Sequence, residues 1–252
     1  MTNKISLAAS LFFLAAAIPA AADFPIESEE ERGHLEMEIR NFLLEHPEVL
    51  IEAMQVWEQR QRLAQAQAQA LAIDHFSNEI FFDEDSWVGG ALDGFPTIVE
   101  FVDYNCGFCR RAFDDVQNLL AEDGNVRFVV KEFPILGSDS EMASRFAIAV
   151  HRLYGDEDYK SVHDAMITSD GPVDIPAIEA LIAERGFDID RLENEMLGER
   201  VSGIIATNRE LAQILGISGT PGFIIGNSVF QGLQSYEAMV DAIELARALD
   251  NS

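Results

Sequence analysis

Hydrophobic positions between about residues 28 and 75 recur with helical spacing. Leu35, Ile39 and Leu43 follow one another every four residues, and His46-Pro47-Glu48 is typical of one helix ending and another beginning. Two rows of apolar residues spaced seven apart run along the second predicted helix: Val49, Val56, Leu63 and Ala70, and beside them Leu50, Trp57, Ala64 and Leu71. The pattern therefore predicts two helices with a coiled-coil-like seam on the second.

The seam has two interpretations, self-association or docking on the main domain. Alanine and glutamine alternate from Ala64 to Ala70, which leaves little apolar area for docking on a core. We therefore expect the seam to join copies of this chain.

A strand, a helix and a second strand are predicted next along the chain. Thr97 to Val102 is a run of β-branched and aromatic residues, Cys106 to Leu120 has helical spacing, and Val126 to Phe133 is again strand-like. This pattern indicates a βαβ unit with both cysteines at the turn from the first strand into the helix.

Helical spacing continues from residue 137 to 215, interrupted by glycine-containing stops. Strands are predicted at 222–225 and 229–231, followed by a closing helix from 235 to about 249. The chain is thus predicted to be an α/β protein with an all-helical insertion between the two parts of its sheet.

The first 22 residues have the pattern of a secretory signal peptide. An uncharged run from Ile5 to Ile18 follows Lys4, and small residues end at Ala22, where we predict cleavage. The apolar run is shorter than the roughly 20 residues that a transmembrane helix needs, although a retained anchor is the alternative. We therefore expect export from the cytoplasm.

The acidic composition argues against one class of partner. The chain has 44 acidic and 17 basic residues, a formal net charge of −27. Because so negative a protein is repelled by phosphate backbones, we expect no nucleic-acid partner.

The two cysteines, Cys106 and Cys109, are one helical turn apart at a predicted helix start. Free backbone N–H groups and the helix dipole stabilise a thiolate there, which makes Cys106 the expected nucleophile. We expect Cys106 to face solvent and Cys109 to lie a turn inside, where it resolves mixed disulfides. A zinc half-site or a structural disulfide are the alternatives, but the five histidines follow no metal-binding spacing and so short a loop stabilises little. We predict a redox dithiol with no metal and no cofactor.

With the strand before the dithiol and Gly216 to Gly226 downstream, the chain resembles the DsbA-like branch of the thioredoxin superfamily. The resemblance extends from about Ile80 to Leu249 and implies a thioredoxin-like fold with an inserted helical domain, acting as a thiol-disulfide oxidoreductase. The predicted division is a signal peptide at 1–22, a helical oligomerisation stalk and linker at 23–78, thioredoxin-like parts at 79–136 and 216–252, and the insertion at 137–215.

The resemblance also implies the substrate-binding residues. Thr220-Pro221 occupies the place of the family's cis-proline motif, where the Thr220 backbone would pair with an extended substrate beside the dithiol; a plain turn is the alternative. Gly107 and Phe108, between the cysteines, are also expected to contact substrate. They replace the Pro-His common among strongly oxidising members, so the redox potential stays open.

Glu100 and Lys131 are ionisable residues in largely apolar predicted strands, and the same comparison makes them the buried acid and its basic partner. Glu100 is expected to relay a proton to or from Cys109 through water, with Lys131 tuning it. A paired core charge or an edge position is the alternative interpretation of both residues.

The helical segment from residue 28 to 75 resembles the N-terminal stalk of trimeric DsbA-like proteins, including the suppressor-of-copper-sensitivity type. This resemblance implies a periplasmic homo-oligomer, a trimer, that isomerises disulfides in cysteine-containing periplasmic or secreted proteins, and a membrane redox partner that resets the dithiol. A DsbA-like oxidase is the second hypothesis. A copper-binding or chaperone scaffold is a distant third, since no Met-x-x-Met or Met-x-Met array is present.

Overall fold

The computed structural model describes residues 28–250, so the predicted signal peptide lies outside the described residues. The described residues divide into two units, 28–59 and 60–250. No helix within residues 28–250 is long and apolar enough to span a bilayer.

The first unit contains helix α1 (Glu29–Glu45) and the beginning of α2 (Glu48–His75). Ser28 and Glu31 form a capping box, in which each side chain accepts a hydrogen bond from the other's backbone N–H at 3.2 Å. No residue of α1 is buried. Large apolar side chains of this unit are exposed: Leu35, Met37, Ile39, Phe42, Leu44, Leu50, Ile51, Met54, Val56 and Trp57.

The second unit is built on a five-stranded sheet. Its strands are β1 (Trp87–Gly90), β2 (Thr97–Val102), β3 (Arg127–Glu132), β4 (Gly222–Ile225) and β5 (Ser228–Gln231), in the order β1-β3-β2-β4-β5. β2 and β3 are parallel, and every other neighbouring pair is antiparallel. The four strands predicted from the sequence are confirmed.

Strand β1 was not predicted, because two of its four residues are glycine. Gly89 lies under the indole of Trp87, where an added Cβ would be 2.1 Å from Cη2 of that ring. A glycine is required there by this close approach.

Helices complete the second unit in the predicted order. They are α3 (Ser77–Phe81), α4 (Gly107–Asp123), α5 (Ser138–Tyr154), α6 (Asp156–Ile167), α7 (Ile175–Arg185), α8 (Ile189–Met196), α9 (Glu199–Ile214) and α10 (Tyr236–Asp250). The predicted helical insertion corresponds to α5 through α9, while the short α3 was missed.

Both faces of the sheet are covered, and side chains alternate between them along each strand. On one face Ile98, Val102 and Val130 pack with apolar residues of α4 to α8 and α10. On the other face Phe101 and Val129 pack with residues of α3, the end of α2 and the end of α9. The architecture is the predicted thioredoxin-like α/β fold with a helical insertion, and it places the two cysteines at the carboxyl end of β2.

Candidate active site

The turn between β2 and α4 is organised by Asp103. Its backbone oxygen accepts a hydrogen bond from the Cys106 N–H at 3.0 Å. Its carboxylate accepts bonds from the backbone N–H groups of Asn105, Ile135 and Leu136 and from the Ser140 hydroxyl, at 2.7 to 3.1 Å. Asp103 thus ties the dithiol turn to the loop that follows β3.

Cys106 is the N-cap residue of α4, in extended conformation, so the free N–H groups of the first turn point towards its sulfur. A hydrogen bond with Cys109 lowers the pKa of Cys106 to about 5, aided by the Thr220 side chain and the backbone N–H groups of Cys109 and Phe108, against the opposing effect of burial. Cys106 is therefore mostly thiolate at neutral pH, the form that attacks disulfides.

The expectation that Cys106 faces solvent is corrected by the structure, since only 6% of the residue is exposed. Its Sγ lies 3.1 Å from the backbone oxygen of Thr220, a residue 114 positions further along the chain. The helix start directs the thiol outwards, as expected, but the loop that contains Thr220 covers the sulfur.

Cys109 lies in the first turn of α4 and is 1% exposed. Burial raises its pKa, and the hydrogen bond to Cys106 and the charge of Glu100 raise it further. The inner sulfur is thus a thiol at neutral pH, and it needs a base before it can attack.

The buried carboxyl of Glu100 is the candidate for this base. It lies in the middle of β2 and is 6% exposed. Burial raises its pKa to about 8, and the charge of Cys106 adds to the effect. A carboxyl that titrates near neutral pH, and whose charge acts on Cys109, is chemically suited to accept the Cys109 proton.

Lys131 is not the partner of Glu100, which corrects the predicted pairing. In the β2–β3 register Lys131 lies opposite Phe101, and its side chain therefore leaves the sheet on the face away from Glu100. The Lys131 Nζ donates to the Asp83 carboxylate at 2.6 Å and to the Glu79 backbone oxygen at 2.7 Å. Burial lowers the pKa of Lys131 and Asp83 opposes this. Lys131 holds the segment after α3 against the sheet.

Thr220 and Pro221 immediately precede β4, which pairs antiparallel with β2. The bond between them is cis, and the Thr220 backbone oxygen contacts the Cys106 sulfur. The loop therefore places a backbone oxygen beside the nucleophile, two residues before β4 begins.

Gly107 and Phe108 open α4 on the exposed side of the dithiol. An added Cβ on Gly107 would meet no atom within 4 Å. Phe108 is 52% exposed, and the Arg111 guanidinium lies 4.4 Å from the centroid of its ring. Arg110 instead donates to the Tyr104 and Ser169 backbone oxygens at 2.9 and 2.6 Å, which anchors the start of α4.

Sequence reasoning missed Glu132, the last residue of β3. The hydroxyl groups of Tyr104 and Tyr159 each donate a hydrogen bond to Oε1 of Glu132 at 2.7 Å. Burial raises the pKa of Glu132 to about 7. The signal that identified Glu100, an acid in an apolar strand, is equally present in Arg127–Glu132. The tyrosines that hold Glu132 are distant in sequence and gave no signal. Within residues 28–250 no group of three or more metal-ligating side chains is placed to bind an ion.

Two family models match the chain. The one described as a DSBA-like thioredoxin domain matches residues 97–244, and the one described as the Copper resistance protein ScsC N-terminal domain matches residues 32–64. The first match contains the dithiol and the Thr220-Pro221 loop, and the second contains most of α1 and the first half of α2.

Solved structures of thioredoxin-like proteins are similar to this chain, and part of a curated antiporter is similar to it as well. A thioredoxin-like oxidoreductase from Silicibacter pomeroyi DSS-3 is 36% identical with a TM-score of 0.64, over 68% of this chain and 97% of the other. BcfH of Salmonella enterica Typhimurium is 27% identical with a TM-score of 0.71, over 86% and 96%. The Na(+)/H(+) antiporter NhaA 1 of Salinispora arenicola is 28% identical over 163 residues, and this chain spans 24% of the length of that curated relative.

Proposed function

The chain belongs to the DSBA-like thioredoxin domain family and carries a segment of the ScsC N-terminal type, and from this premise we propose that Cys106 and Cys109 exchange disulfides with protein substrates. The main support is the contrast between the two sulfurs. The pKa of Cys106 is lowered to about 5 at the start of α4, whereas burial raises the pKa of Cys109 a turn inside. That contrast supports attack by the first thiol and resolution by the second.

In the first step the Cys106 thiolate attacks a substrate disulfide. A bond forms between Cys106 Sγ and one substrate sulfur, the substrate S–S bond breaks, and the other substrate sulfur leaves as a thiolate that takes a proton. The backbone of Thr220, beside Pro221, pairs with the extended substrate, and Gly107 and Phe108 form the adjoining contact surface.

In the second step the mixed disulfide is resolved in one of two ways. When Cys109 resolves it, Glu100 takes the Cys109 proton, a Cys106–Cys109 disulfide forms, and the substrate leaves with two more electrons than it brought. When another substrate thiol attacks instead, the substrate leaves with rearranged disulfides and Cys106 is regenerated as thiolate, with no net redox change.

Isomerisation by an oligomer is the activity that the first unit favours. The exposed apolar side chains of α1 and α2 form a surface that association of copies would cover, and the ScsC-type match lies on the same residues. Several dithiols held together raise the local thiol concentration around one misfolded substrate. We therefore propose a homotrimer in the periplasm that acts on exported proteins with cysteines and whose dithiol is reset by a membrane redox partner.

An oxidase is the second candidate, and the low pKa of Cys106 favours it. Stabilising the thiolate stabilises the reduced dithiol, which makes the Cys106–Cys109 disulfide a stronger oxidant. Oxidised protein would then rapidly form disulfides in a reduced substrate, independently of its oligomeric state.

Trapping experiments test the exchange chemistry. The variant Cys109→Ser should accumulate mixed disulfides with substrate on non-reducing gels, because the resolving thiol is gone, whereas Cys106→Ser should form none. Activity that survives in the double variant, Cys106→Ser with Cys109→Ser, would refute redox function and favour a chaperone or copper-binding scaffold.

A substitution on the seam separates isomerase from oxidase. Trp57→Lys places a charge on the apolar row, and light scattering should show a monomer that still reduces insulin but no longer refolds a scrambled-disulfide substrate. Glu52→Lys, in the same helix but outside the two rows, is the matched control. A Trp57→Lys protein that stays trimeric, or a monomer that isomerises normally, would contradict the assignment.

A further inference from the structure

Glu100 and Glu132 are neighbours on one face of the sheet. In the parallel β2–β3 register Glu100 lies opposite Val130, and Glu132 lies opposite Val102. A strand spacing of about 4.8 Å and a rise of about 3.3 Å per residue place the two Cα atoms about 8 Å apart. Cys106 and Cys109 belong to the apolar cluster that packs on this same face.

The Glu132 carboxyl is held by hydroxyl groups and not by a cation. Tyr104 and Tyr159 each donate to Oε1 at 2.7 Å, and no ion pair formed among residues 28–250 includes Glu132. Oε2 is buried and accepts no hydrogen bond of good geometry from residues 28–250; the Ser144 hydroxyl is close enough to help lower the pKa of Glu132. Oε2 is therefore the oxygen that can gain or lose a proton without disturbing the two phenol bonds.

The phenols are themselves held in place. Because the single Tyr104 hydroxyl proton goes to Glu132, its contact with His163 Nδ1 at 3.0 Å makes that nitrogen the donor. Burial lowers the pKa of His163 to about 3, so this ring is neutral at neutral pH. Tyr159 is stacked between Trp87 and His163, with ring centroids 5.7 and 5.8 Å away.

The charged and titratable groups that face Glu132 come from several elements. After β2, Asp103 raises the pKa of Glu132, while Tyr104 and Tyr159 lower it through their hydrogen bonds. From α6, His163 is neutral and Lys160 adds a positive charge near it. From α5, His151 lies 5.2 Å from the Tyr159 ring and pairs with Asp156 at 2.7 Å.

An electrostatic connection joins the Glu132 cluster to Glu100. The charges of Glu132 and Glu100 both raise the pKa of Tyr159, so this phenol is within reach of both carboxyls. The charge of Glu100 in turn acts on Cys109. Like charges on one buried sheet face disfavour each other's ionisation, so the placement of Glu100 and Glu132 gives each carboxyl a means of acting on the other.

We propose that Glu132, held by Tyr104 and Tyr159, is a positioning residue that acts through the charge of its carboxyl on Glu100 to set the pH at which Glu100 takes the proton of Cys109. This inference rests on the proposed disulfide exchange. In the resolving step the Cys109 proton passes to the Glu100 carboxylate, Cys109 Sγ bonds to Cys106 Sγ, and the bond from Cys106 to the substrate sulfur breaks. Glu132 exchanges no electrons and touches no reacting atom.

The variant Glu132→Gln tests the proposal, because it removes the charge and keeps the shape. Carbon NMR of the side-chain carboxyls should show the pKa of Glu100 falling by about one and a half pH units, the size expected for charges about 8 Å apart at an effective dielectric constant of about 20. A second measurement follows the rate at which Cys109 releases an aromatic thiol from a mixed disulfide on Cys106. The midpoint of the acid limb of its pH profile should move to lower pH by the same amount. Glu179→Gln, on the exposed side of α7, is the matched control and should move neither.

A second variant keeps the test decisive if Glu132→Gln does not fold. Tyr159→Phe preserves the stacked ring and deletes one donor, so Glu132 stays protonated to higher pH and the Glu100 titration falls in the same direction by a smaller amount. A Glu100 titration that is unchanged in the folded variants would overturn the proposal. If the wild-type protein exchanges no disulfides, the proposed function fails instead, and the carboxyl titrations still show whether the two acids are coupled.

Discussion

Replacing Glu100 with glutamine should change how stability depends on pH. In the folded protein burial raises the pKa of Glu100 from 4.5 to about 8, with the Cys106 charge adding to the effect. The folded state therefore holds this proton more tightly than the unfolded chain does. The resulting stabilisation is complete below about pH 4.5 and is lost progressively as pH rises towards about 8.

The magnitude follows from that gap. At about 1.4 kcal/mol per pH unit, the wild-type protein loses about 5 kcal/mol between pH 4.5 and 8 through Glu100 alone, an upper estimate because relaxation and water entry reduce it. The glutamine side chain carries no charge at any pH, so Glu100→Gln should match wild type near pH 4.5 and exceed it increasingly at higher pH. The advantage should reach a plateau above pH 8. It should be smaller in the oxidised protein, where Cys106 carries no charge.

Urea unfolding of both proteins at half-unit steps from pH 5 to pH 8.5, in reduced and oxidised forms, measures this difference. The same variant should slow the release of mixed disulfides by Cys109 about 100-fold or more, because the proton acceptor is lost. Glu179→Gln serves again as the exposed control. A difference in unfolding free energy that stays constant across this range would show that Glu100 is not a buried acid with a raised pKa.

Three further substitutions give separate checks. Lys131→Met should lower the free energy of unfolding by about 3 kcal/mol, because it breaks the buried contact with Asp83, which retains some exposure. The pH profile of disulfide exchange should not move, and a shifted profile would mean that Lys131 tunes the site. Thr220→Val removes a hydrogen bond to the thiolate and should raise the pKa of Cys106 by about one unit, measured as thiolate absorbance against pH. An unchanged pKa would mean that the Thr220 side chain does not stabilise the thiolate. Asp103→Ala removes four hydrogen bonds to a carboxylate, one of them from the buried Ser140 hydroxyl, and should cost about 3 kcal/mol in urea unfolding. A cost under about 1 kcal/mol would mean that the loop after β3 is held by other contacts.

Local patterns were sufficient for the elements and for the dithiol. The apolar run from Thr97 to Val102 and the helical spacing after Cys106 identified β2 and α4, because burial of one strand and one helix face leaves a period in the sequence. The same reasoning located the helical insertion and the strands that follow Pro221. It missed β1, whose glycines are required by the packing of Trp87 and carry no strand signal.

The relations between distant residues were decided only by the folded chain. The sequence alone determined that Cys106 begins a helix, that Glu100 lies in an apolar strand and that the chain has the order of a thioredoxin-like fold. Strand register placed Lys131 on the face away from Glu100, and the Thr220 loop covered a thiol that was expected to face solvent. Tertiary packing also brought Tyr159 to Glu132. The physical reason is that backbone periodicity acts over a few residues, whereas a pKa depends on every charge, donor and layer of protein that folding brings within several ångströms.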